Sequence, residues 1–165
     1  MTDFEGLLKL LADGNVDYIL IGGMAGIAHG AARVTYDLDI VYDRSPANIQ
    51  RLVSTLLPIH PYLRGAPPGL PFHWDVETVT AGLNFTLSTS IGDLDILGDI
   101  PGGRIYEELL PHSTILDVAG IPCRCLNLKK LIEVKRAAAR KKDLDAIAEL
   151  EALLQEQQHG SGHEE

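Results

Sequence analysis

Residues 19–42 read ILIGGMAGIAHGAARVTYDLDIVY, and this stretch decides the fold. An apolar run that stops at a Gly-Gly pair predicts a strand and a tight turn, and the small residues that follow predict a short helix. A second strand, predicted over 36–42, carries Asp37 and Asp39, whose side chains point to one face because they are two positions apart. Like charges this close resist joint ionisation, so the pair predicts a divalent metal between them.

The composition is that of a folded globular protein. The chain has 165 residues, of which 45% are hydrophobic and 22% charged, so one domain with a real core is expected over residues 1–158. The polar ending HGSGHEE, residues 159–165, is predicted to be a disordered tail. No apolar run approaches the length of a membrane span, and the N-terminus is acidic where a signal peptide is basic, so a soluble cytoplasmic protein without membrane contact is expected.

The distribution of charge is informative. A formal net charge of −9 argues against sequence-independent binding of DNA through a broadly basic surface. Seven of the fourteen lysines and arginines nevertheless lie between Lys129 and Lys142. The two cysteines, Cys123 and Cys125, alternate on an apparent strand and are interpreted as reduced packing residues, because two thiols cannot close a zinc site.

Periodicity along the rest of the chain predicts alternating helices, strands and hairpins. Helices are predicted over about 3–13, after Ser45-Pro46, near 75–80, over 104–110, over about 127–139 and from Asp143, with an irregular proline-rich loop at 58–71 and hairpins around 91–93 and 119–120. This order predicts an α+β fold in which a mixed sheet carries its helices mainly on one face.

The first hairpin supplies a third candidate metal ligand. In GDLDIL, residues 92–97, Asp95 lies within the predicted strand, whereas Asp93 lies at the turn. Asp95 can lie beside Asp39 if the two strands are neighbours, so it is the first choice for the third ligand and Asp93 the second. Backbone N–H groups at Gly22 and Gly23 are expected to approach phosphates.

The Gly-Gly pair, the following thirteen residues and DLDI at 37–40 resemble the signature of polymerase-beta-type nucleotidyltransferases. The run GGMAGIAHGAARVTYDLDI, with LIEVKRAAARKKDLDAIAEL near the C-terminus, also resembles minimal members of abortive-infection and toxin–antitoxin systems. The resemblance covers about residues 4–154.

This resemblance implies the chemistry of nucleotidyl transfer. Two Mg²⁺ ions, or Mn²⁺ in their place, would be held by Asp37, Asp39 and Asp95, and an NTP would be the substrate. The resemblance also favours phosphate contacts from Lys135 and Arg136. Arg33 is expected to reach a phosphate or to brace the aspartate pair, and His29 either caps a helix or packs.

The basic helix has two interpretations. Helical spacing places Lys129, Arg136 and Arg140 on one face, and Lys135 and Lys142 on a neighbouring one. A solvated charged surface explains both faces, and the functional alternative is contact with the triphosphate or with an RNA backbone.

Three functions are compatible with these patterns. The leading hypothesis is an enzyme that moves a nucleoside monophosphate to an acceptor hydroxyl on RNA such as tRNA, on a protein or on a small molecule. A second follows from DLDIV, which also fits haloacid-dehalogenase-type phosphatases, in which the first Asp is a nucleophile at the end of a buried strand. The third is a non-catalytic nucleotide-binding or antitoxin-like module that pairs with a partner protein.

Overall fold

The structure is a computed structural model that describes residues 1–138 and 143–162. Its helices are α1 (Phe4–Asp13), α2 (Gly22–Ala28), α3 (Pro46–Leu56), α4 (Val76–Ala81), α5 (Tyr106–Leu109), α6 (Leu128–Ala137) and α7 (Leu144–Gly162). Its strands are β1 (Tyr18–Ile21), β2 (Asp37–Tyr42), β3 (Tyr62–Leu63), β4 (Phe85–Thr89), β5 (Gly92–Leu97), β6 (Ser113–Val118) and β7 (Ile121–Leu126).

Polar side chains begin the helices where the sequence predicts. The Asp3 carboxylate accepts a hydrogen bond from the Gly6 N–H, and the Asn127 side chain accepts one from the Lys130 N–H. These bonds satisfy backbone donors that have no partner inside the helix. Three apolar side chains of α1 turn inward and are completely buried, namely Leu7, Leu8 and Leu11.

The strands form one mixed sheet in the order β3-β4-β5-β2-β1-β7-β6. β2 lies antiparallel to β1 but parallel to β5, and β1 lies parallel to β7. The remaining neighbours are antiparallel. A parallel neighbour requires a long crossover, and residues 43–91 supply it between β2 and β5. The predicted α+β class with a mixed sheet is confirmed.

The proline-rich segment 58–71 differs from its prediction as an irregular loop. It contains β3, which pairs with β4 through Tyr62↔Ser88 and Leu63↔Leu87. Two residues between prolines carry no detectable alternation, so β3 depends on the hydrogen bonds that β4 offers rather than on local propensity.

The C-terminal region extends the last predicted helix. α7 continues through Gly162, beyond the predicted start of the disordered tail, and residues 163–165 lie outside the described residues. Arg140 and Lys142, two members of the predicted basic faces, also lie outside them. Within residues 1–138 and 143–162, no helix has the length and apolar character that crossing a membrane requires.

Buried groups on both sides of β1 hold the central strands in place. Cys123 and Cys125 are buried free thiols on β7, as expected for packing residues. Asn48 of α3 is completely buried: its amide oxygen accepts from the Asp17 N–H at 2.7 Å, and its amide group donates to the carbonyls of Asp17 at 2.9 Å and Asp43 at 2.7 Å. This side chain therefore joins the chain entering β1 to the chain leaving β2.

We expect Asn48→Ala to lower the free energy of unfolding in urea by about 3 kcal/mol, because three buried hydrogen bonds are each worth about 1 kcal/mol. Asn84→Ala is the matched control, since exposed Asn84 accepts from the Gly98 and Asp99 N–H groups. Equal losses in the two variants would show that burial of Asn48 adds nothing.

Candidate active site

Three aspartates meet where β2 and β5 run side by side. The parallel register places Asp39 opposite Asp95 and Asp37 opposite Asp93. One carboxylate oxygen from each of Asp37, Asp39 and Asp95 lies within 4.8 Å of the others, and all three side chains are partly buried. The structure thus brings together the three predicted ligands, with Asp95 rather than Asp93 in the cluster, which we name the aspartate cluster.

Gly22 is shaped by its contact with the aspartate cluster. It adopts a left-handed backbone with φ +71°, and a Cβ on it would overlap the Asp39 carboxylate. A Cβ on Gly23 would lie 2.7 Å from Thr35 Oγ1, closer than real Cβ contacts allow. The two glycines therefore let the start of α2 approach β2 and the segment before it.

Burial and mutual repulsion disfavour full ionisation of the aspartate cluster. Burial, followed by the charges of Asp37 and Asp95, raises the pKa of Asp39 to about 8, against an opposing effect of Lys135. Burial and then Asp95 also raise the pKa of Asp37, against an opposing effect of Arg64. The raised pKa values of both carboxyl groups indicate that the site has less positive charge than its acidic groups require.

Arg64 is a member of the site that the sequence patterns did not reveal. It lies directly after β3, and its guanidinium forms ion pairs with Asp95 at 2.7 Å, Asp93 at 3.5 Å and Asp37 at 3.7 Å. One signal was available: Arg64 is the only lysine, arginine, aspartate or glutamate between Arg51 and Asp75. Its relevance depends on a sheet order that local patterns do not encode.

The aspartate cluster opens into a cleft of about 670 Å³, whose lining also includes Gly23, Arg33 and Lys135. Arg33 pairs with Glu149 of α7 at 3.2 Å, so α7 holds the segment before β2. Lys135 of α6, which is predicted to contact phosphates, lines the same cleft, and its positive charge opposes the rise in the pKa of Asp39.

Two predicted polar residues have partners away from the cleft. Arg136 pairs with Glu151 of α7 and is not among the described residues that line the cleft. The His29 ring nitrogen Nε2 lies 2.8 Å from the Leu126 carbonyl, which agrees with the packing interpretation of this histidine. The two contacts tie α6 and α2 to their neighbours.

The donor set suits a hard divalent cation. Mg²⁺ prefers carboxylate oxygens and keeps several waters, so three clustered carboxylates beside an open cleft fit it, and Mn²⁺ has the same preference. The raised pKa values of Asp37 and Asp39 point the same way, because a cation would supply the missing positive charge. Asp37, Asp39 and Asp95 are the residues that would hold such an ion.

Replacement of Gly22 tests the close approach to Asp39. We expect Gly22→Ala to weaken Mn²⁺ binding by about tenfold or more in a calorimetric titration, because the added methyl displaces a ligand carboxylate. Gly120→Ala is the control: Gly120 has φ +82°, but among residues 1–138 and 143–162 no atom lies within 4 Å of its Cβ position, so this variant changes stability and leaves Mn²⁺ affinity at the wild-type value. A wild-type Mn²⁺ affinity in Gly22→Ala would contradict the role of this glycine.

The raised pKa of Asp39 predicts how stability depends on pH without added metal. Between the ordinary carboxyl pKa of about 3.9 and about 8, the folded protein holds a proton on Asp39 that the unfolded chain does not. The folded state then binds more protons, so the free energy of unfolding falls as pH rises through this window.

We expect Asp39→Asn to flatten this fall in urea titrations between pH 5 and 8, and Asp99→Asn, at an exposed position, to keep the wild-type slope. A wild-type slope in Asp39→Asn would place the proton elsewhere.

Comparison with known proteins places the fold. No protein-family model and no curated protein matches the sequence. The lincosamide antibiotic adenylyltransferase LnuA, in a lincomycin-bound structure, superposes with a TM-score of 0.60 at 16% identity over 90% of this chain and 94% of its own.

Two further solved structures agree with LnuA. TM1012 of Thermotoga maritima, a candidate nucleotidyltransferase, gives a TM-score of 0.52 at 16% identity over 94% of this chain and 96% of its own. The antibiotic-resistance factor ANT(2'')-Ia gives a TM-score of 0.52 at 14% identity over 97% and 93%. The chain therefore has the fold of the nucleotidyltransferases that its sequence resembles.

Proposed function

We propose that this protein transfers a nucleoside monophosphate from an NTP to an acceptor hydroxyl and releases pyrophosphate. The observation that carries the proposal is the aspartate cluster, in which carboxylate oxygens from two neighbouring parallel strands lie within 4.8 Å of one another beside Gly22. The fold, which is shared with solved nucleotidyltransferases, also supports the proposal.

Other residues of the cleft are assigned to the triphosphate. Gly23, Arg33 and Lys135 line the same cleft as the aspartates and are assigned to the triphosphate, together with Gly22. Among these residues Lys135 is the strongest candidate for a phosphate contact, because its charge acts on Asp39 in the aspartate cluster. Arg136 is assigned to the link between α6 and α7 instead, since it pairs with Glu151.

The reaction requires one bond to form and one to break. The acceptor oxygen bonds to the α-phosphorus, the bond from that phosphorus to the bridging oxygen of the pyrophosphate breaks, and the hydroxyl proton passes to a carboxylate or to water. Divalent ions held by Asp37, Asp39 and Asp95 would supply charge stabilisation to the attacking and leaving oxygens. The chain itself positions the carboxylates and supplies Lys135 near the phosphates.

The cleft has an apolar rim that suits a ring. Val34 and Tyr36 line it and expose 80% and 77% of their surface, which is unusual for large apolar side chains unless something covers them. A nucleobase or the ring of a small-molecule acceptor could stack there. LnuA, a lincosamide adenylyltransferase, supports inclusion of small hydroxyl-bearing antibiotics among the acceptors, beside tRNA and proteins.

The haloacid-dehalogenase alternative lacks support in the geometry. Asp37 is the first residue of β2, whereas a nucleophile of that class follows the end of a buried strand. The other alternative is a non-catalytic module that pairs with a toxin or antitoxin in a two-gene system. The experiment below distinguishes this module from an enzyme. Either role would use the cytoplasmic pool of nucleotides.

The test is transfer of label from each α-labelled NTP, ATP included, in the presence of Mg²⁺ or Mn²⁺. Acceptors are total tRNA, lysate protein and a panel of hydroxyl-bearing antibiotics that includes a lincosamide. We expect label on one acceptor class, and at least about a hundredfold less with Asp39→Asn or Asp95→Asn, because each removes a carboxylate ligand of the divalent ions that would stabilise the transition state.

Asp99→Asn, at an exposed position away from the cluster, is the control and should retain wild-type transfer. Absence of transfer to every acceptor, with no metal-dependent binding of NTP, would overturn the proposal. Metal-dependent binding of NTP without transfer, and with a co-purifying partner, would support the non-catalytic module instead.

A further inference from the structure

Arg64 reaches the aspartate cluster from the far side of a strand. Its backbone N–H donates to the Thr86 carbonyl at 2.9 Å, so it continues the pairing of β3 with β4. Its side chain then crosses β4, where Nη2 donates to the Leu87 carbonyl at 2.8 Å, and ends at Asp95 on β5. Backbone carbonyls of β4 therefore hold both ends of this arginine, and the Asp95 side chain holds its guanidinium as well.

The Arg64 guanidinium forms ion pairs with three of the four aspartates on β2 and β5. Nη2 lies 2.7 Å from Asp95, Nε lies 3.5 Å from Asp93 and Nη1 lies 3.7 Å from Asp37. In the part of the chain that the structure describes, Arg64 forms no ion pair with Asp39. The arginine thus acts on one side of the cluster, and Lys135 acts on the side of Asp39.

Arg64 belongs to the support of the cluster rather than to the cleft. Asp37, Asp39 and Asp95 line the cleft, but Arg64 is absent from the described residues that do so. Its side chain is 26% exposed, and its buried Nε has no hydrogen-bond partner among the described residues. The hydrogen bonds of the guanidinium are made by Nη2, whereas Nε acts on Asp93 through charge alone.

We propose that Arg64 is a positioning residue that holds Asp95 and Asp37 in the geometry of a metal site and limits the affinity of that site for divalent cations. This inference rests on the proposed function and adds a determinant of metal affinity to it. The short bond to Asp95 restrains the ligand contributed by β5. The positive charge, close to two of the three ligands, repels a cation that binds them.

The two effects predict opposite changes when Arg64 is replaced. Loss of the charge leaves the carboxylates more attractive to a cation, so binding tightens. Loss of the bond to Asp95 leaves that ligand free to rotate, so transfer slows. A residue that only supported the fold would weaken stability and metal binding together, and this divergence separates the two roles.

The experiment measures Mn²⁺ affinity by titration calorimetry in the absence of nucleotide, and kcat for transfer, in wild type, Arg64→Met and Arg64→Lys. We expect Arg64→Met to bind Mn²⁺ about tenfold more tightly and to lose about tenfold to a hundredfold in kcat. Arg64→Lys keeps the charge without the planar fork, so it should keep the Mn²⁺ affinity within about twofold and lose kcat.

Arg51→Met is the matched control. Arg51 also pairs with an aspartate, Asp17 at 3.4 Å, so its replacement removes the same charge at a position outside the cluster. It should bind Mn²⁺ as wild type does. Unchanged or weaker Mn²⁺ binding in folded Arg64→Met, or equal tightening in Arg51→Met, would overturn the role of Arg64. If Arg64→Met does not fold, weaker Mn²⁺ binding in Arg64→Lys or a wild-type kcat there overturns the proposal.

The metal titration also separates this inference from the proposed function. A wild-type protein that binds Mn²⁺ through Asp39, but transfers no label, contradicts nucleotidyl transfer and leaves the Arg64 comparison decisive. A wild-type protein that binds no Mn²⁺ contradicts both.

Discussion

The structure depends on the close approach of carboxylates on two parallel strands. The register of β2 and β5 sets Asp39 opposite Asp95 and Asp37 opposite Asp93 in a partly buried site. Repulsion of this kind is costly unless positive charge is close. Burial, and then the charges of Asp37 and Asp95, raise the pKa of Asp39 to about 8, so the cations of the protein compensate only part of that cost.

The surrounding elements are arranged around that constraint. β3 is only two residues long, yet it delivers Arg64 to three of the four aspartates. α6 supplies Lys135, whose charge acts on Asp39, and the absence of a side chain on Gly22 leaves room for the Asp39 carboxylate. Arg64 and Lys135 compensate part of the negative charge of the aspartate cluster. The cleft beside the cluster leaves room for a bound cation that would compensate the rest.

The hydrogen-bond network of Asn48 ties β2 to its other neighbour, β1. It links backbone groups at Asp17 and Asp43, which flank β1 and β2. A shift of β2 by one residue would turn its aspartates away from the cleft, because strand side chains alternate between faces. The buried amide does not line the aspartate cleft, and its bonds at Asp17 and Asp43 help to hold β2 against β1.

The sequence alone determined the features that are local. It predicted helices that begin near residues 3 and 127, the alternation that places Asp37 and Asp39 on one face, and the α+β class of the fold, because caps and periodicities act within a few residues. Asp95 was named as a third ligand only on the condition that its strand neighbours β2.

Tertiary structure decided what depends on sheet order. Arg64, β3 and the partners of Arg33 and Arg136 follow from contacts between segments distant in the chain, which no short-range pattern records. Asp37 and Asp39 lie within one six-residue strand, so the sequence shows them as a pair. The positive charges that act on them belong to Arg64, directly after β3, and to Lys135 of α6, which approach the pair only in the folded protein.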